Sequence, residues 1–188
     1  MKRTVVLLFC MLCASLAFAQ SATQQPVEPT QPGVYYKSGT QYVRMDQTMM
    51  VGGGAKHMGK MFVPGLTPQM VYTFRDAHSP AQVSGAKPTF YVVQAPFMAN
   101  VPGQSSRDVV IVRFDVKKDH RELQVTSGAS AFTMKAGFSK ERAPEITVTR
   151  ISDSAFSIVP TQDLKPGEYL LTFGGTGTSG WDFGVPKE

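Results

Sequence analysis

Apolar and polar residues alternate with a period of two from Val34 onward, in short runs separated by Gly, Pro, Asn, Asp or Ser. This alternation is typical of β-strands with one buried face, whereas no long stretch keeps the 3.6-residue period of an amphipathic helix. The pattern predicts strands over residues 33–37, 41–45, 60–63, 70–74, 89–94, 108–116, 122–126, 145–151, 155–159, 168–173 and 181–185. The chain is therefore predicted to be all-β.

Two of the predicted strand regions carry further information. The first two strands flank Ser38-Gly39, a tight hairpin turn in which Gly39 supplies a positive φ. The strand at 108–116 has apolar side chains on both faces, which predicts a strand that is covered on both sides.

The segment Leu164-Lys-Pro-Gly-Glu-Tyr169 has the form of the corner at which a sandwich strand passes from one sheet to the other, with the tyrosine hydroxyl bonded to upstream backbone. Residues 88–186 resemble an immunoglobulin-like or fibronectin-like sandwich without its disulfide. The resemblance implies an immunoglobulin-like Greek-key β-sandwich in residues 88–188. Residues 34–87 are predicted to add N-terminal β-hairpins to the same domain, although the sequence leaves open a separate subdomain.

A second resemblance spans most of the chain. GVYYK at 33–37, KPTFYVV at 87–93, LKPGEYLL at 164–171 and WDFGV at 181–185 are similar to a group of secreted bacterial proteins without an assigned activity. That resemblance implies export and β architecture and gives no catalytic residues.

The N-terminus has the layout of a secretory signal peptide. Lys2 and Arg3 precede an apolar run that ends in Ala17-Phe18-Ala19, and the run is too short to cross a bilayer. We expect residues 1–19 to be removed near Ala19, leaving a secreted protein in the periplasm or outside the cell. Residues 20–33, rich in Pro, Gln and Thr, are predicted to be a flexible linker.

Composition narrows the function classes. Both cysteines, Cys10 and Cys13, lie inside the predicted signal peptide, so the mature chain has no disulfide and no thiolate metal site. Loss of Lys2 and Arg3 lowers the formal charge from +5 to +3, which is too small and too dispersed for nucleic-acid binding. No later segment is long and apolar enough for an integral membrane protein.

Two patterns near residues 45–70 suggest ligand chemistry. The run Gly54–Lys60 approaches a phosphate-binding P-loop, but Met61 replaces the Ser or Thr that holds magnesium, so a plain glycine-rich loop is favoured. Sulfur and imidazole ligands suit Cu(I) in an exported protein, and packing in an irregular core is the favoured alternative. The candidate copper ligands are Met45, Met49, Met50, His57, Met58, Met61 and Met70.

A hydrolase is the third hypothesis, with a site assembled from distant loops that the sequence does not show. Gly177–Gly180 lacks the five-residue form of a nucleophile elbow, and His78 and His120 are isolated and are predicted to be solvated. We therefore assign no catalytic, cofactor-binding or metal-binding residue and no cofactor from the sequence.

Aromatic residues form a candidate binding surface. Tyr35 and Tyr36 fall on opposite faces of one strand, so one is predicted to be exposed, with Tyr42 nearby on the partner strand. Such a surface can stack on a sugar or bind a protein partner, whereas ordinary cross-strand packing is the favoured alternative. Trp181 is predicted to be core. The sequence thus predicts a non-enzymatic binding or structural protein at the cell envelope, with a protein or glycan partner.

Overall fold

A computed structural model describes residues 28–56, 69–95, 108–126, 134–135, 137–139, 141–174 and 177–187. These residues form β-strands and no helix, which confirms the predicted all-β class. The strands are β1 (Gly33–Ser38), β2 (Gln41–Arg44), β3 (Thr48–Met49), β4 (Gly52–Lys56), β5 (Gln69–Arg75), β6 (Phe90–Val93), β7 (Val109–Arg113), β8 (Asp115–Val116), β9 (His120–Thr126), β10 (Met134–Lys135), β11 (Phe138–Ser139), β12 (Ile146–Arg150), β13 (Ala155–Pro160), β14 (Gly167–Phe173) and β15 (Ser179–Val185).

Several predictions fall outside the described residues. These are the signal peptide at 1–19, the linker up to residue 27 and the strand at 60–63. Within the described ranges, no helix is long and apolar enough to cross a membrane.

The strands form three main antiparallel sheets. Sheet I has the order β12-β13-β6-β1-β2, sheet II the order β3-β15-β14-β7, and sheet III the order β4-β5-β9-β8, while β10 and β11 pair with each other. The arrangement is sandwich-like. The immunoglobulin-like Greek-key connection stays a prediction.

A first hydrophobic cluster lies between sheets I and II. Sheet I contributes alternate residues such as Phe90 and Ile158, and sheet II contributes alternate residues such as Leu171 and Phe183, all of them fully buried. The Phe90 and Phe183 ring centroids are 4.7 Å apart. Val34 and Val83 belong to the same cluster, so residues from the 34–87 region share this core with the C-terminal strands.

A second cluster lies between sheets II and III. It contains Val110, Val112 and Leu170 of sheet II together with Phe74 and Leu123 of sheet III. Sheet II is therefore buried on both faces. The predicted burial of both faces of the strand at 108–116 is confirmed for β7, where all four residues from Val109 to Val112 are buried.

Two stretches of chain join sheets II and III. Residues 48–49 pair with β15, and residues 52–56 then pair with β5. In the same way, residues 109–113 pair with β14, and residues 115–116 pair with β9. Sheets II and III thus adjoin at both flanks and enclose the second cluster.

β3 and β4 are absent from the sequence prediction. The run that resembles a P-loop begins in β4, so Gly54, Ala55 and Lys56 are paired strand residues rather than the start of a phosphate-binding loop. Glycine has a low strand propensity, and pairing with β5 imposes the extended backbone here.

The predicted corner before β14 is present. The Tyr169 hydroxyl donates a hydrogen bond of 2.6 Å to the carbonyl oxygen of Lys165, and Tyr169 is buried. Its ring stacks on Phe183 at a centroid distance of 5.4 Å, so the corner is anchored to the first cluster.

Candidate functional site

The outer face of sheet I gathers tyrosines from three strands. β1 pairs with β6 so that Tyr35 lies directly opposite Tyr91, and β1 pairs with β2 so that Lys37 lies opposite Tyr42. Residues of one strand alternate between faces, and paired residues share a face, so all three tyrosines point away from sheet II. We call the set Tyr35, Tyr42, Tyr91, Val93 and Ala155 the tyrosine face.

The tyrosine face is a packed cluster. The rings of Tyr42 and Tyr91 are 5.3 Å apart between centroids and inclined at 59°, within the range of favourable aromatic pairs. Tyr35 and Tyr91 are only 8% and 4% exposed, although they lie on the face turned away from the main core. Something other than sheet II must therefore shield them.

Residues 28–32, which we call the strap, supply contacts to this face. The Tyr91 hydroxyl donates to Glu28 Oε2 at 3.1 Å, and the Tyr35 hydroxyl donates to the Gln31 carbonyl oxygen at 3.0 Å. Arg44 Nη2 donates to the Pro32 carbonyl oxygen at 3.3 Å. In each of these three hydrogen bonds, the donor is a side chain that projects from the tyrosine face or from its edge.

Because position 33 is a glycine, the chain can run close to the Arg44 and Tyr35 side chains where the strap leads into β1. A β-carbon there would lie 3.2 Å from Arg44 Nε and 3.3 Å from the Tyr35 ring. Any larger residue would press on both groups that hold the end of the strap.

The strap also changes the acidity of the tyrosines. Burial raises the pKa of Tyr91 to about 12, and the hydrogen bond to Glu28 acts in the same direction. Burial also raises the pKa of Tyr42, with the negative charge of Glu28 as the second cause. Both hydroxyls therefore stay protonated as hydrogen-bond donors at neutral pH.

The sequence prediction for these aromatic residues is right in part. Tyr42 does lie near Tyr35 on the same face, but Tyr35 is buried and Tyr36 packs against the first cluster. Tyr91 is not among the predicted residues, although its place next to Phe90 in an alternating strand assigns it to the face opposite the core. Trp181 packs against the first cluster while remaining partly exposed, close to its predicted core position.

The methionines are divided between core and surface. Met45 is 4% exposed within the first cluster, whereas Met49 and Met50 are 67% and 40% exposed. Met70 is partly buried in β5. His57, Met58 and Met61 lie outside the described residues, so the Cu(I) hypothesis stays untested.

A buried ion cluster lies between sheets II and III. Arg121 Nη1 is 2.5 Å from Asp182 Oδ2 and 3.9 Å from Glu168 Oε2, and all three residues are at most 5% exposed. Arg121 also donates to the carbonyl oxygens of Arg75 and Asp76 and covers the Phe114 ring at 5.0 Å. All three nitrogens of the guanidinium thus donate to the protein itself, which is typical of a structural ion pair.

The two isolated histidines both meet carboxylates. His78 is exposed, as predicted, but its Nδ1 lies 3.1 Å from Glu168 Oε1, at the border of the ion cluster. Glu168 Oε2 accepts a further bond of 2.8 Å from the Ser79 amide. His120 lies 2.7 Å from Asp119, and this hydrogen bond lowers the pKa of Asp119.

An open groove of about 750 Å³ lies beside the tyrosine corner. Its lining includes Arg113, Glu145, Asp163 and Tyr169. Arg113 donates to the Pro166 carbonyl oxygen at 2.9 Å, and Tyr169 is committed to Lys165. In the described part of the chain, the carboxylates of this groove make no hydrogen bond to a hydroxyl or an imidazole, so no nucleophile and base are joined there.

The fold and the site together define an all-β protein with an aromatic sheet face that its own N-terminal strap covers. Comparison of the chain with protein families, curated proteins and solved structures gave no match. The described ranges also hold no group of three or more His, Cys, Asp or Glu residues placed to bind a metal ion.

Proposed function

We propose that this protein is exported and acts without catalysis as a binding protein at the cell envelope, with the tyrosine face as its contact surface for a protein or glycan. The main support for this proposal is that β1, β2 and β6 bring Tyr35, Tyr42 and Tyr91 together on the face turned away from the core. Export rests on the signal-peptide pattern of residues 1–19.

The chemistry of the face supports binding. The outer face of an antiparallel sheet is ordinarily polar, whereas this one carries aromatic and aliphatic side chains. Tyrosine offers a rigid apolar ring and a hydroxyl, and for this reason it is enriched at binding hot spots. Arg44 and Lys37 share this face, so a polar partner group can be recognised at its edge.

The test uses the mature chain beginning at Gln20 and the envelope fraction of the producing cell. Tyr42→Ser removes a partly exposed ring from the face, whereas the matched control Val43→Ser alters the neighbouring residue, 38% exposed on the opposite face of β2. We expect saturable co-sedimentation that Tyr42→Ser weakens at least about tenfold and that Val43→Ser leaves unchanged. Equal loss in both variants, or no saturable binding, would overturn the proposal.

The rival hypotheses predict other outcomes for the same preparation. A copper protein would take up Cu(I) stoichiometrically and bind it more weakly when Met49, Met50, His57 and Met58 are replaced. A hydrolase would turn over envelope material and lose that activity when a carboxylate of the groove, such as Asp163, is replaced.

A further inference from the structure

The strap has a distinctive chemistry. Its sequence is Glu28-Pro29-Thr30-Gln31-Pro32, in which two prolines stand three residues apart. Each proline has a fixed φ and lacks an amide hydrogen, and each residue before a proline is driven to an extended conformation. Such a segment loses little conformational freedom on docking, and its carbonyl oxygens have no internal partners.

Side chains of the tyrosine face and its edge contact the strap mainly through the backbone of the strap. The Gln31 and Pro32 carbonyl oxygens accept from Tyr35 and Arg44, at 3.0 Å and 3.3 Å. Among the hydrogen bonds between described residues, only the one from Tyr91 to the Glu28 carboxylate involves a side chain of the strap. The Tyr35 hydroxyl and the Arg44 guanidinium thus donate to carbonyl groups of a proline-rich chain beside aromatic rings, which resembles the general mode by which proline-rich peptides are recognised.

From these contacts we infer that the tyrosine face is a recognition surface for proline-rich polypeptide, and that residues 28–32 are an internal ligand which a partner segment displaces. This inference rests on the proposed function and names the class of its ligand. The same contacts made in trans would place partner carbonyl groups on Tyr35 and Arg44 and a partner carboxylate on Tyr91.

Displacement is feasible because the strap is held lightly. It forms no strand pairing, and its residues Glu28, Thr30, Gln31 and Pro32 are themselves exposed. Its advantage over an external segment is its attachment to β1, which gives it an effective concentration on the order of millimolar. A partner with additional contacts, or a weakened strap, shifts the balance towards binding in trans.

The experiment titrates a synthetic peptide with the sequence of residues 28–33 into isotope-labelled mature protein and follows the amide signals of Tyr35, Tyr42, Arg44 and Tyr91. The comparison variant, Glu28→Gln with Pro29→Gly and Pro32→Gly, weakens the strap without altering the tyrosine face. If the strap occupies about 90–99% of the molecules, the variant binds the peptide about 10- to 100-fold more tightly than the unaltered chain.

Two controls make the result specific. A peptide in which glycine replaces both prolines should bind at least about tenfold more weakly, since it loses more conformational freedom. In the weakened-strap variant, Arg44→Gln should weaken peptide binding several-fold. Arg44 is chosen because it is exposed at the edge of the face, so its replacement does not disturb the aromatic packing as a change at Tyr42 would.

Several outcomes would overturn the inference. These are no binding of the peptide by the weakened-strap variant at millimolar concentration, equal binding of the glycine peptide, or binding that Arg44→Gln leaves intact. If envelope binding still depends on Tyr42 while the peptide fails, the ligand class is wrong and the face binds another chemistry such as a glycan. If the peptide binds but envelope binding ignores Tyr42, the proposed function fails and the inference stands.

Discussion

The ion cluster and the tyrosine face are two polar regions that the protein satisfies in opposite ways. Arg121 is held by the buried carboxylates of Asp182 and Glu168 and by the carbonyl oxygens of Arg75 and Asp76 at the end of β5. The hydroxyls of Tyr35 and Tyr91 are instead satisfied by the strap, which leads into β1 at Gly33. Hydrogen-bond partners that belong to the sheets are lost only when the domain unfolds. Partners that the strap supplies can instead be replaced by those of another molecule while the domain stays folded.

The largest effect is expected where the ion cluster is broken. Arg121→Met leaves Asp182 and Glu168 buried without their cation, and loss of one member of a buried ion pair costs about 3–5 kcal/mol of unfolding free energy. Urea denaturation of the mature chain measures this loss.

The control is an ion pair of the same length at the surface. Arg150 Nη2 is 2.5 Å from Asp153 Oδ1, but both side chains are largely exposed. Arg150→Met should cost less than about 1 kcal/mol because water screens the pair. If both variants lose a similar amount of unfolding free energy, the Arg121 cluster contributes no more to stability than an exposed ion pair does.

A smaller effect is expected at the tyrosine face. Tyr91→Phe keeps the ring against Tyr42 and removes the hydrogen bond to Glu28, which should cost about 1 kcal/mol. The variant should also change the pH dependence of stability. Burial holds the pKa of Tyr91 at about 12 in the folded protein, so the unfolded chain, with a pKa near 10, releases its proton first.

The sign of this effect follows from linkage. Between pH 10 and about 12 the unfolded state is favoured by ionisation of Tyr91, so the unfolding free energy of the unaltered chain falls over that range. The Tyr91→Phe variant should fall less steeply there, with the remaining slope due to Tyr42 and Tyr169, whose pKa values are also raised by burial. Identical slopes for both proteins would contradict the raised pKa of Tyr91 in the folded protein.

The sequence predicts the regular part of this molecule well because alternation alone specifies most of its strands. The hairpin of β1 and β2, the pair β12 and β13, and the bond from Tyr169 to Lys165 all follow from local patterns and turn residues. β4 escapes prediction because Gly52, Gly53 and Gly54 carry no side chains to alternate.

The two polar regions are harder to predict for a different reason. Arg121, Glu168 and Asp182 lie on three different strands, and only the stacking of sheets II and III brings them together. The tyrosine face likewise needs the register of β1 with β6 to place Tyr35 beside Tyr91. Composition predicts a flexible linker up to residue 33, but it does not show that Glu28 and Gln31 meet tyrosine hydroxyls.

The smallest effect is expected at the strap itself. Glu28→Gln keeps an oxygen that can accept from Tyr91 but removes the charge, and because Glu28 is exposed, the loss should be a few tenths of a kcal/mol. A double-mutant cycle with Tyr91→Phe isolates the effect of the Glu28 charge on this bond, since Glu28→Gln should cost almost nothing once the Tyr91 hydroxyl is absent. Strictly additive losses would mean that the charge adds no strength to the bond, and that the carboxylate holds Tyr91 no better than a neutral amide does. A measurable coupling energy, well below the loss expected for Arg121→Met, would instead show that Glu28 helps to hold the strap. An attachment of that strength would let the strap cover the tyrosines and still dissociate from them.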